Sequence, residues 1–133
     1  TKSHDDFLTA QWDKMLFIST LGALGSVTRA NFGQIREIPE TRELLRTLIR
    51  EGVDVARAQG ATFDQLIADK FLSFLDNLPA SGTTSTQRDI IAGRPSEIHY
   101  LLGDIVDLGK DMDIPVSRAL YYSLLPQEKQ ARS

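Results

Sequence analysis

The apolar residues of this chain recur at helical spacing along nearly its whole length. Nowhere does a run of residues alternate apolar and polar cleanly enough to make a strand. Leu44, Leu45, Leu48, Ile49, Val53 and Ala56 form one stripe, with Pro39 placed for its first turn and Gly60 just past its end. Thr62-Phe63-Asp64-Gln65 reads as a capping box opening a helix that carries Leu66, Ile67, Phe71, Phe74, Leu75 and Leu78 as far as Pro79. Small polar residues from Ala80 to Ser85 make a loop, followed by a short helix over Thr86 to Ala92 that Gly93-Arg94-Pro95 breaks. Ser96 is a candidate cap for a helix bearing Ile98, Leu101, Leu102, Ile105, Leu108 and Met112, ended by Ile114-Pro115. Ser117 to Leu125 forms the last helix, and Phe7 to about Leu24 the first, with Trp12 and Lys14 inside it. The expectation is an all-α fold: a single compact helical bundle of six to seven helices over residues 1–126, with 127–133 a frayed polar tail.

A chain of 133 residues, 41% of them hydrophobic, is one ordinary domain. It can bury roughly two thirds of its unfolded surface, so it needs no disulfide or metal to fold. It has no cysteine, which excludes a thiol nucleophile, a thiolate zinc site and an iron–sulfur cluster. Two histidines, His4 and His99, do not make a metal site, so none is expected. Fifteen Lys and Arg against eighteen Asp and Glu give a net charge of −3, without the basic surplus that binds nucleic acid. The uncharged stretch Met15–Thr28 is too short and too polar to span a bilayer. Thr1-Lys2-Ser3-His4-Asp5-Asp6 has no leader-like apolar core, so a soluble cytoplasmic protein is expected. Gly22-Ala23-Leu24-Gly25 lacks the glycine spacing, the preceding strand and the downstream acid of a dinucleotide fingerprint. Gly22 and Gly25 instead suit close packing of a second helix or a bend.

Few groups offer reactivity. Lys14 lies among Trp12, Met15, Leu16, Phe17, Ile18 and Leu21. Such a lysine is either a desolvated acid or a stem that covers apolar surface while its head reaches water. Ser85 and Asp89 are four apart and share a helix face, and the Gly93-Arg94-Pro95 break can fold Glu97 toward them. Capping and surface roles explain the same three residues. His99, with no Cys or second His near it, suits a structural hydrogen bond better than catalysis.

Trp12-Asp13-Lys14-Met15-Leu16-Phe17, Leu21 to Thr28-Arg29-Ala30-Asn31-Phe32-Gly33, Thr84-Ser85-Thr86-Gln87-Arg88-Asp89, Ala92-Gly93-Arg94-Pro95-Ser96-Glu97-Ile98 and Ile114-Pro115-Val116 together resemble the C-terminal domain of ketopantoate reductases, over nearly the whole chain. That family reduces 2-dehydropantoate to pantoate with NADPH, in pantothenate biosynthesis. The resemblance implies that Lys14 matches the general acid, Ser85 a group on the substrate carboxylate, Asp89 a polar neighbour in the site, and Glu97 a carboxylate on the cofactor side. It also implies a Rossmann domain, absent from this chain, that would hold most of the NADPH, and association as a homodimer. At the positions one and two turns after the lysine, where pantoate-forming members usually carry substrate-binding Asn, this chain has Ile18 and Gly22. The implied substrate is therefore ketopantoate or another small 2-oxo acid, with Ile18 and Gly22 on the floor of its site. A noncatalytic helical dimerisation or interaction module derived from the same family is the alternative.

Overall fold

The computed structural model describes residues 4–133, with side chains from Phe7 onward. Thr1-Lys2-Ser3 lies outside the described residues, as do the side chains of His4, Asp5 and Asp6, so the reading of that stretch as leaderless has no structural counterpart. Among the described residues the order is α1 (His4–Thr28), α2 (Phe32–Glu37), α3 (Pro39–Ala58), α4 (Ile67–Asp76), α5 (Ser85–Ile91), a 3-10 turn at Ile98–Tyr100, α6 (Leu102–Leu108) and α7 (Pro115–Ala131), with no strand. The all-α expectation holds. No described helix is long and apolar enough to cross a membrane.

The axis of the bundle is α1. Every residue from Ser19 to Ser26 is buried, and α3, α5 and α7 pack around them. A helix enclosed on all sides must hide its polar groups as well as its apolar ones. Its hydroxyls do so by bonding back one turn: Thr20 Oγ1 donates to the Leu16 carbonyl (2.7 Å), Ser26 Oγ to Gly22 (2.6 Å) and Thr28 Oγ1 to Leu24 (2.7 Å). Ser19 Oγ is the exception, buried with no partner. The helix ends at Arg29, whose φ of 61° turns the chain and lets its N–H reach the Gly25 carbonyl at 2.7 Å.

Several boundaries differ from the sequence reading, each for a local reason. Periodicity misses α2 because six residues are too few to show it, yet Asn31 and Gln34 form a reciprocal capping box, both bonds 2.9 Å. The box expected at Thr62 does not form. Thr62 turns to Thr9 on α1, its N–H donating to Thr9 Oγ1 at 3.0 Å, while Asp64 Oδ1 accepts from Leu66 N–H at 2.8 Å and α4 starts only at Ile67. The short helix after the loop is capped by Thr84, whose Oγ1 accepts from Gln87 N–H at 3.1 Å. The single helix expected from Ser96 to Met112 is two pieces, parted at Leu101 (φ −107°, ψ −96°).

The stretch read as a frayed tail is helical. α7 runs through Pro126 to Ala131, because Glu128 is drawn inside: its carboxylate accepts from Ser96 N–H and Oγ–H (both 2.8 Å) and from Arg132 Nε at 3.1 Å. A second buried carboxylate works the same way at the other end of α7. Ile114 gives that helix no side-chain cap, and Glu51, from α3, accepts from Val116 N–H (3.1 Å), Ser117 N–H (2.7 Å) and Ser117 Oγ–H (2.6 Å). An acidic group there also meets the positive end of the helix dipole.

Candidate functional site

Lys14, Ile18 and Gly22 follow one another at four-residue steps, so they share one face of α1 over about 12 Å. Trp12 and Leu16 point the other way, into the core. Lys14 is exposed, not buried as a desolvated acid would require: Trp12 and Leu16 lie on the opposite face, while Phe17 and Ile18 share the open side with it. None of the ion pairs among the described residues engages it.

Lys14 and Ile18 line a cavity of about 620 Å³ between α1 and α4. Its apolar wall is aromatic: Phe17 stands edge-on to Phe71 (ring centroids 5.6 Å, 65°) and to Phe74 (5.0 Å, 85°). Asp13 and Lys70 complete its charged groups. Partial burial raises the Asp13 carboxyl above the ordinary aspartate value, and the Lys70 ammonium opposes that shift. Sequence periodicity assigned Phe74 and Leu66 to the core stripe of α4, but they are 55% and 57% exposed. Apart from Lys14 and Ile18 the cavity residues were missed by sequence reasoning, Phe17, Phe74 and Lys70 among them. The signal available was Phe74 following Phe71 at three residues, one step round the helix from the buried Leu72 and Leu75.

Gly22 does not reach that cavity. A side chain there would meet Thr84 Oγ1 at 3.4 Å and Thr86 Cβ at 3.5 Å, ordinary contact distances, so the start of α5 packs on α1 here without needing a glycine. At Gly25 the approach is tighter, with Gln87 Oε1 against the place where a Cβ would stand. The close packing that the spacing suggested is therefore met at Gly25. Thr84 and Thr86 are the residues that face Gly22 at this crossing, and Ser85, between them in sequence, is exposed at the first turn of α5. Asp89, one turn further, accepts from Arg94 Nε at 3.1 Å and spans the break at Gly93 (φ 77°). Glu97 is exposed ahead of the 3-10 turn. The structure therefore groups Lys14 with Ile18. It does not bring Ser85, Asp89 or Glu97 into the cavity that Lys14 lines.

His99 has the structural role its isolation suggested, with Nδ1 2.9 Å from the Tyr121 hydroxyl. Among the described residues no group of three or more His, Asp or Glu is placed to hold a metal ion.

The family profile described as ketopantoate reductase PanE/ApbA C terminal matches residues 6–127. The chain belongs to the ketopantoate reductase family. It is 28% identical over 113 residues to a 2-dehydropantoate 2-reductase of Halobacterium salinarum, covering 84% of this chain and 37% of that one. To the Aquifex aeolicus 2-dehydropantoate 2-reductase it is 32% identical over 102 residues, 74% and 33% of the two chains. Among solved structures, a dimeric ketopantoate reductase from Staphylococcus aureus superposes with a TM-score of 0.87 at 25% identity, covering 92% of this chain and 44% of that one. The chain thus spans between a third and a half of the length of these ketopantoate reductases.

Proposed function

We propose that this chain is the substrate-binding helical part of a nicotinamide-dependent 2-oxo acid reductase, acting on 2-dehydropantoate or a related acid, with Lys14 as the proton donor. The observation that carries the reading is an exposed ammonium, in no ion pair among the described residues, at the rim of an apolar cavity in a chain of this family. The fit to a dinucleotide is partial. No strand, and so no strand–glycine turn–helix cradle for a pyrophosphate, occurs among the described residues. The open mouth of the cavity beside Lys14 leaves one face of a bound carbonyl accessible. A reduced nicotinamide, NADPH in this reading, supplies a hydride to the carbonyl carbon when bound from that side.

The Lys14 Nζ–H donates to the carbonyl oxygen and its proton passes to that oxygen as negative charge develops there, giving the 2-hydroxy acid and a neutral amine that regains its proton from solvent. The hydroxyl of Ser85, exposed at the first turn of α5, holds the carboxylate next to that carbonyl, so the reacting end of the acid is fixed at two points. Asp89 acts through Arg94, fixing the turn that carries Glu97 toward the cofactor side. The protein works as a homodimer, a reading supported by the dimeric relative.

In the full-length protein, Lys14→Ala lowers turnover by roughly two to four orders of magnitude, the range for loss of a general acid. Unchanged turnover in a folded variant refutes the assignment.

A further inference from the structure

The cavity between α1 and α4 carries more apolar surface than a proton donor needs. Phe17, Phe71 and Phe74 build a wall of interlocked rings, and Ile18 closes the side next to Lys14. Ile18 is 36% and Phe74 55% exposed, so this apolar surface stands open beside an ammonium instead of being folded away. Among the described residues the polar lining is confined to the charged groups Asp13, Lys14 and Lys70, with no hydroxyl or amide side chain. A ligand hydroxyl pressed past Ile18 against the rings gives up water and finds no partner, whereas an alkyl or aryl group loses nothing and removes apolar surface from water. The two lysines suit an anionic head at the mouth. At about 620 Å³ the space accepts a phenyl ring or a branched chain.

Resting on the reading of Lys14 as the acid, we infer that this cavity receives the substrate's side chain and selects 2-oxo acids whose side chain is a hydroxyl-free branched alkyl or aryl group, with Ile18 and Phe74 as the residues that set the preference. The carbonyl lies at Lys14, the carboxylate toward Ser85, and the side chain against the Phe17–Phe74 edge.

The test uses two acids that differ by a single hydroxyl, trimethylpyruvate and ketopantoate, with phenylglyoxylate as an aryl probe. kcat/KM for each is measured on the full-length protein with NADPH and with NADH. The expected result favours trimethylpyruvate over ketopantoate by roughly tenfold or more, with phenylglyoxylate also turned over. Ile18→Asn narrows or reverses that ratio by improving ketopantoate. Phe74→Ser raises KM for phenylglyoxylate more than for trimethylpyruvate. Both substitutions are at exposed positions, and a thermal melt of each variant confirms that the fold is kept. A preference for ketopantoate, or ratios that neither substitution moves, overturns the inference and leaves the reductase reading standing. Absence of turnover with all three acids and both nucleotides overturns the two together.

Discussion

Removing the charge of Glu51 without changing its shape probes how α7 is held. Its Oε1 accepts from both the N–H and the hydroxyl of Ser117 (2.7 and 2.6 Å), and its Oε2 from Val116 N–H at 3.1 Å. In Glu51→Gln a single carbonyl oxygen can keep the Ser117 pair, but the amide nitrogen then faces Val116 N–H, donor against donor. One charge-assisted bond worth about 1.5–3 kcal/mol is lost, together with about 0.5 kcal/mol of favourable interaction with the helix dipole. Relief from burying a carboxylate opposes this, leaving a net destabilisation of about 2 kcal/mol. For a domain of this size that lowers Tm by about 6 °C. Urea unfolding followed by circular dichroism gives the free energy, and a cycle with Ser117→Ala isolates the pair, with a coupling of about 1 kcal/mol. A Glu51→Gln protein within about 0.5 kcal/mol of the parent, with no coupling to Ser117, refutes the account of a helix capped from a neighbouring one.

Gly25→Ala pushes a methyl into Gln87 Oε1 and displaces the bond from Gln87 Nε2 to the Ala30 carbonyl (2.8 Å). Overpacking outweighs the helix propensity of alanine by roughly 1 kcal/mol, read in a thermal melt. Arg29→Gly relieves the left-handed φ of 61° and stabilises by roughly 0.5–1 kcal/mol in the same assay. In an NMR titration Asp76, held ionised by its hydrogen bond to Arg42, protonates below the ordinary aspartate value, and Asp13, raised by burial, protonates above it. The Asp76 contribution to stability is accordingly present above the unfolded aspartate pKa and lost as pH falls through its lower folded value. Asp13 acts in the opposite sense, favouring the fold most where it is protonated and less as pH rises through its raised value.

Of the long helices, α3 was legible because it buries residues at helical spacing and α1 because its uncharged run marks an enclosed helix, and the packing role of Gly25 followed from small residues three apart. What escaped the sequence was set by tertiary partners. Thr62 looked like a cap until Thr9 claimed it, and the segment after Pro126 looked like a tail until Glu128 reached Ser96. Periodicity finds the apolar residues of α4 but not which of them its neighbours cover. α2 and α3 pack on that helix, Phe71, Leu72 and Leu75 are buried, and Phe74 is left outside. The same blindness placed Lys14 among apolar residues when it stands on the open face. Its alignment with Ile18 and Gly22 was plain from four-residue steps. Its assignment as an acid came from the family motif and not from spacing. Asp89 illustrates the converse: sharing a face with Ser85 was readable, but its engagement by Arg94 across the glycine turn was not.

The central claim is that Lys14 protonates a 2-oxo acid whose side chain lies on the α1–α4 cavity. A crystal structure of the full-length protein with an oxidised nicotinamide and trimethylpyruvate tests it directly. The account predicts Lys14 Nζ at about 2.7–3.2 Å from the carbonyl oxygen, with the methyl groups against Ile18 and Phe74. A bound acid with Lys14 beyond hydrogen-bond reach, or with its methyl groups turned away from the aromatic wall, contradicts it.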